Sequence, residues 1–198
     1  MKHLKMIGLA LVATAAFMAF TGSASAAPTL TSPGGIEYTG TLTATGSSSL
    51  LFKATFANVT CTSSTVSGNI TNNAEHATVA ISTLSLSNCG SNDVTPLQNA
   101  AGNFGTLTIN QKGEIFGSNS NITIVNTTTG AHCIYGTTTN TKLGTLTPSS
   151  ATGGRAVMDI SASLPYNAES KSSQFICGNT ASWSGTYSVT TPGVLDLS

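Results

Sequence analysis

Apolar and hydroxyl-bearing residues take alternate places along much of this chain. Tyr38, Leu42 and Ala44 interleave with Thr39, Thr41, Thr43 and Thr45, and Leu50, Phe52, Ala54 and Phe56 repeat the rhythm. Leu107 with Ile109, and Ile122 with Ile124, give shorter stretches of the same kind. Met158, Ile160, Ala162 and Leu164 alternate with Asp159, Ser161 and Ser163; Trp183, Tyr187 and Val189 alternate with Ser182, Ser184, Thr186 and Ser188. A period of two sends successive side chains to opposite faces of a strand, so each stretch predicts a strand with one apolar face and one hydroxylated face. Threonine suits both demands, because its branched Cβ fits the pleat and its hydroxyl tolerates water. Val79 and Ile81 share a face, whereas Leu84 and Leu86 fall out of phase with them. A bulge near Ser82–Thr83 restores the register.

Turn-forming clusters separate the stretches: Ser32-Pro33-Gly34-Gly35, Asn72-Asn73, Cys89-Gly90-Ser91-Asn92-Asp93, Gly153-Gly154 and Cys177-Gly178-Asn179. Beyond the first residues no stretch of ten or more shows helical periodicity, and a short helical turn is expected at most over Thr95–Ala101. Many short antiparallel strands with one apolar face predict an all-β fold. The favoured form is an antiparallel β-sandwich, with a barrel as the alternative. The tetrapeptide Gly-Thr-Leu-Thr occurs at Gly40, Gly105 and Gly144, but the unequal spacing does not make a repeat array.

The first residues follow a different rule. Lys2, His3 and Lys5 form a basic head, Met6 to Phe20 an apolar run, and Ala24-Ser25-Ala26 a small-residue cleavage pattern. The run is shorter than the ~20 residues that span a bilayer. Residues 1–26 are therefore expected to be a secretory signal peptide, leaving one secreted β domain over residues 27–198 without a transmembrane anchor. That mature region carries five bases (Lys53, Lys112, Lys142, Arg155, Lys171) against seven acids (Glu37, Glu75, Asp93, Glu114, Asp159, Glu169, Asp196), a net charge of −2. No basic patch exists to meet phosphates, so nucleic acid is not an expected partner. Charged residues make up 7% of the chain where about a quarter is ordinary. Serine and threonine, 59 of 198 residues, take their place and give a hydroxylated exterior.

Four cysteines, Cys61, Cys89, Cys133 and Cys177, follow the leader, an even number in a chain bound for an oxidising compartment. No C-x-x-C pair suggests a zinc or redox motif. Three pairings are open. The favoured one joins sequence neighbours, Cys61–Cys89 and Cys133–Cys177.

Candidate chemistry is sparse. His76 and His132 have no nucleophile elbow to serve, and His132, next to Cys133 on a strand, points to the opposite face. The seven acids fall in no glycosidase motif, and Asp159 sits on a polar strand face. Asn92-Asp93 superficially suggests a calcium loop but brings one carboxylate, too few for a good site. Neither a metal nor a cofactor is implied, and the chain is not expected to be an enzyme. Four glycosylation sequons, at Asn58, Asn69, Asn121 and Asn126, matter only in a host that glycosylates. The aromatic residues Trp183, Tyr187, Tyr135 and Tyr166 remain as candidates for holding a carbohydrate or a hydrophobic ligand, with core packing as the competing role for Trp183.

A resemblance rests on Cys133-Ile134-Tyr135-Gly136, Leu143-Gly144-Thr145-Leu146-Thr147, Asp159-Ile160-Ser161-Ala162, Phe175-Ile176-Cys177 and Trp183-Ser184-Gly185-Thr186-Tyr187-Ser188-Val189. This set resembles a group of small secreted bacterial β proteins of actinobacterial type, with paired cysteines and a late W-x-G-x-Y-x-V strand. The layout is more distantly similar to the secreted activators of alkane oxidation, which implies an extracellular accessory for using hydrophobic substrates. Neither likeness carries catalytic residues. The expectation is a non-enzymatic secreted or cell-surface protein with a structural or accessory role. The alternatives are a carbohydrate- or hydrophobic-ligand-binding module and a pilin-like assembly subunit.

Overall fold

The alternating stretches become strands, and the strands close a ring. The computed structural model describes residues 29–198, so the leader expected over residues 1–26 lies outside the described residues. In chain order the first strands are β1 (Leu30–Ser32), β2 (Ile36–Glu37), β3 (Thr41–Gly46), β4 (Leu50–Lys53), β5 (Asn58–Cys61), β6 (Ser63–Asn72), β7 (His76–Ser87) and β8 (Asn92–Leu97). Then come β9 (Thr106–Asn110), β10 (Glu114–Ser118), β11 (Asn121–Asn126), β12 (His132–Gly136), β13 (Thr141–Thr147), β14 (Val157–Pro165), β15 (Thr180–Thr191) and β16 (Asp196–Leu197). Helix among the described residues is confined to two single turns, α1 (Ser149–Thr152) and α2 (Gln174–Cys177).

Eight strands pair antiparallel in the order β3, β6, β7, β9, β10, β13, β14, β15, and β15 returns to β3. The all-β antiparallel fold is thus a closed barrel, the second of the two forms the alternation allows. Alternation is the same in both, and curvature decides between them. The ladders slip between Ser67 and Gly68, between Ile115 and Phe116, and between Val189 and Thr191. Each bulge bends and twists its strand, which is how a sheet curls far enough to meet itself. At the first slip Ser67 faces Thr83 while Gly68 faces Ile81, so Ser82 is the extra residue, where the phase break in the sequence puts it.

The inward face is the apolar one. Along β14, Met158, Ile160, Ala162 and Leu164 are buried, while Asp159, Ser161 and Ser163 are exposed. On β15 their cross-strand partners are Tyr187, Gly185, Trp183 and Ala181. Leu42, Ala44, Val66, Val79, Ile81, Leu107, Ile109 and Ile115 continue the lining around the ring. Eight strands enclose a space that side chains nearly fill, leaving room for one small ligand at most. Gly105 lets the β10–β11 link approach closely: its φ is +97°, and an added Cβ would lie 2.6 Å from the Ser118 carbonyl oxygen.

Three smaller units dress the barrel. The β4–β5 hairpin extends the sheet along the first half of β15, with Phe52 opposite Trp183. A three-stranded sheet, β12–β11–β8, packs against the barrel, and another, β16–β1–β2, brings the two ends of the described chain together. Both disulfides form as favoured: Cys61–Cys89 ties β5 to the turn after β7, and Cys133–Cys177 ties β12 to α2. Such bonds persist in oxidising surroundings. No described helix is long and apolar enough to cross a membrane.

Some boundaries differ from the sequence expectation. Thr95–Ala101 is not a helical turn. Residues to Leu97 belong to β8, and the Asn99 side chain then accepts from the backbone N–H groups of Ala101 and Asn103, building a side-chain-supported turn. Pro96 is accommodated because β8 is an edge strand, where a missing N–H costs no ladder bond. Tyr38 stands before β3 and donates its hydroxyl to the Thr41 carbonyl at 2.8 Å. Ala54 and Phe56 lie past the end of β4, in the tight link to β5 closed by Ala54 and Ala57.

Candidate functional site: an apolar cavity in the barrel

The bulge at Ser82 shapes an apolar cavity. By absorbing one residue it keeps Leu84 and Leu86 on the inward side, opposite Val66 and Ser64. These leucines are half-buried, and both line a cavity that reaches into the barrel. Ile81, Leu107, Ile115, Leu143, Met158, Ile160 and Leu164 supply its barrel wall. The packed-on sheet supplies Ile122 and Tyr135, which face each other across β11 and β12, and the β4–β5 hairpin supplies Phe52. The cavity is partly open to solvent and offers about 40 Å³ to the centre of a water-sized sphere. That is room for roughly three waters, but the wall is almost all carbon, and a water needs two to four polar partners to settle.

Aromatic rings define one side. Trp183 stacks on Phe52 with ring centres 5.9 Å apart and meets Tyr187 edge-on at 6.5 Å. Tyr187 is 1% exposed, and its hydroxyl shares a 2.7 Å hydrogen bond with Ser64. Burial pushes the Tyr187 phenol up to about 12, against a partial pull downward from the Ser64 bond. Tyr135 is fully buried and donates its hydroxyl to the Cys177 carbonyl, on the α2 turn that the disulfide fastens to β12. Its phenol is likewise pushed up to about 12, first by desolvation and then by neighbouring Tyr166.

Three of the four aromatic candidates therefore converge on one cavity: Trp183, Tyr187 and Tyr135. Core packing and cavity lining are the same role for them, since each ring is both packed and part of the wall. Tyr166 is not in this wall. It bridges Tyr135 from outside, donates to the Ser172 carbonyl at 3.1 Å, and lines an open groove of mixed polar and apolar character with Asn121 and Asn167.

The other polar candidates stay apart. His76 opens β7, just past the β6–β7 turn, 3.3 Å from the Asn73 amide nitrogen. His132 sits on β12 with Nδ1 buried and unpartnered. Asp159, on the outer face, accepts a hydrogen bond from Thr186 at 3.0 Å. Asn92 and Asp93 open β8; Asn92 Oδ1 is buried without a partner, and Asp93 is the one carboxylate next to it in sequence. Among the described residues no three His, Cys, Asp or Glu side chains gather as metal ligands. One ion pair is present there, Lys142 to Glu114 at 2.7 Å; the Lys142 ammonium and the Asn110 amide hold the Glu114 carboxyl below its usual range.

The sequence reading missed Leu84, Leu86, Phe52 and Ser120 as parts of this site. The first three had a signal, since their alternation marks them as inward-facing. Ser120, in the β10–β11 link, had none. Comparison with family models, with curated proteins and with solved structures finds no match for this chain.

Proposed function

We propose that this chain is a secreted, non-enzymatic binding protein that takes a small apolar ligand into its barrel. The carrying observation is the carbon-lined, partly open cavity walled by Trp183, Phe52, Tyr187 and Tyr135. A pocket of this kind, apolar with a few polar atoms, is the usual form of a small-molecule site. The leader pattern and the two disulfides support export, and the likeness to activators of alkane oxidation agrees with an extracellular role around hydrophobic compounds. The closed ring favours this reading over a strand-exchanging assembly subunit, because each barrel strand already has two neighbours from its own chain. Carbohydrate binding draws less support, because Tyr166 is the one ring that lines the open groove with Asn121 and Asn167.

Trp183 is the chain's only tryptophan, so its fluorescence reports on the cavity directly. Titration of the oxidised protein with 1-alkanols from methanol to hexanol should give saturable changes in emission. Affinity should rise about fourfold per added methylene, as expected for ~0.8 kcal/mol per buried CH₂, and level off when the cavity is full. Leu84→Phe, which narrows the partly exposed wall, should weaken the longer alcohols about tenfold without lowering the melting temperature appreciably. Emission indifferent to every alcohol would overturn the reading.

A further inference from the structure

Segments distant in sequence meet in an open groove outside the cavity. The β8–β9 loop brings Asn99, Ala100 and Ala101, and the stretch from β10 into β11 brings Asn119 and Asn121. Thr137 follows β12, and Asn167 follows β14. An adjoining hollow shares Asn121, Thr137 and Asn167 and adds Thr138, Pro165 and the Tyr166 ring, so the two form one continuous groove. The larger part alone offers about 530 Å³ to the centre of a water-sized sphere, within the ~300–1,000 Å³ usual for small-ligand sites. Loops held on a rigid scaffold are where binding residues concentrate.

The chemistry of this wall narrows what it can hold. No charged side chain and no histidine lines the groove, so a charged ligand there would find no counter-charge. Four asparagines line it instead, and each amide carries both donors and an acceptor. Asn99 is committed to its own loop: it accepts from the Ala101 and Asn103 N–H groups and donates to Asn103 Oδ1 at 2.6 Å. Asn167 accepts from the Glu169 N–H at 2.9 Å and donates to Asn121 Oδ1 at 3.5 Å, the long limit of such a bond. The Asn121 amide nitrogen is left uncommitted among the described residues, and Asn119 is exposed. Gly136 stands opposite Asn121 across the ladder, where a Cβ would collide with the Asn121 side chain, so the glycine clears the space this amide occupies. Pro165, Tyr166 and the alanines place carbon between the polar groups. A sugar has the matching surface: hydroxyls that both donate and accept, set around apolar C–H faces.

We infer that this groove binds a neutral carbohydrate, the Asn119 and Asn121 amides meeting its hydroxyls and the Tyr166 ring meeting a C–H face. The site is separate from the apolar cavity and goes beyond the reading above, so the two stand or fall apart. One ring and two available amides make a weak site, so its probes are used at millimolar concentration.

The test uses the full oxidised protein, ¹⁵N-labelled, with its asparagine side-chain amides assigned. Cellohexaose, mannohexaose and isomaltohexaose are the neutral probes; hexagalacturonate and an uncharged Gly-Ser peptide are the controls. At least one neutral saccharide should shift the Asn119 and Asn121 amide signals in a saturable way and leave the Trp183 indole signal in place. Asn119 holds a φ of +55°, which glycine also adopts freely, so Asn119→Gly removes the amide and keeps the backbone. It should weaken that saccharide about fivefold, the scale of one lost hydrogen bond. Tyr166→Leu should weaken it by about the same factor, whereas Tyr166→Phe, which keeps the ring, should not. The shifts in the unmutated protein stand even if a variant folds poorly. If no neutral saccharide moves these amides, or if hexagalacturonate or the peptide moves them as strongly, the inference fails. Alkanol binding in the cavity is untouched by either result.

Discussion

Tyr187 shows how much depends on one buried hydroxyl. It occupies the inward face between β14 and β3, meets Trp183 edge-on, and satisfies its oxygen on Ser64. The folded chain keeps this phenol neutral, with its titration raised from 10.0 to about 12. A group whose folded value is raised contributes in full below the unfolded value and loses that contribution as pH climbs through the folded one. Stability should hold level up to about pH 10 and then fall by roughly 2–3 kcal/mol by pH 12 from this residue. Urea melts across that range, read together with tyrosinate absorbance, should show a late ionisation that coincides with unfolding. Tyr187→Phe should shrink that step, leaving the share that comes from Tyr135, whose phenol is also raised to about 12. It should also destabilise the protein by about 1–3 kcal/mol at neutral pH, because Ser64 is left buried and unpaired. A melt unchanged between pH 10 and pH 12 would contradict this account.

At the level of strands, the bulge in β7 gives the sharpest prediction. Ser82 is the surplus residue opposite Ser67, and removing it leaves Ile81, Leu84 and Leu86 all facing inward on a regular ladder. Removing Ser85 is different in kind: whether or not the bulge relaxes to absorb the loss, Leu84 or Leu86 must turn outward. The Ser85 deletion should therefore be less stable than the Ser82 deletion by about 2 kcal/mol, the scale for exposing one leucine, as read from urea midpoints. It should also bind alkanols more weakly, whereas equal stabilities would count against this placement of the leucines. This bulge was legible because it is local: the apolar phase breaks within a single strand. So were the inward sets of β14 and β15, where alternation runs unbroken. Barrel closure was not legible, since the pairings of β15 with β14 and β3 join segments far apart in sequence, and alternation is blind to partners. The false helical turn at Thr95–Ala101 has a local cause, an Asn99 side chain that builds a turn by hydrogen bonding rather than by periodicity.

For the molecule as a whole, the disulfides hold the added units to the barrel. They close loops with sequence separations of 28 and 44 residues. Each is worth roughly 3–4 kcal/mol on the chain-entropy account. Replacing Cys133 and Cys177 together by serine should lower stability by about that amount. It should also weaken ligand binding, because the Tyr135 wall loses its anchor to α2; urea melts paired with alkanol titrations measure both. The aromatic candidates could be named from sequence because large rings on apolar strand faces stand out. Their convergence could not, because it takes three units (barrel, hairpin and packed-on sheet) to bring Phe52, Trp183 and Tyr135 to one space. Closure of the ring has a consequence for the birth of the protein. β3 finds one of its two neighbours only when Thr180–Thr191 arrives, so the barrel cannot exist until nearly all of the described chain has been synthesised. Pairings this distant make for slow folding, on the order of milliseconds to seconds. A nascent chain that is obliged to wait in this way remains threadable, the condition a polypeptide must keep to pass through a narrow translocation channel before it folds.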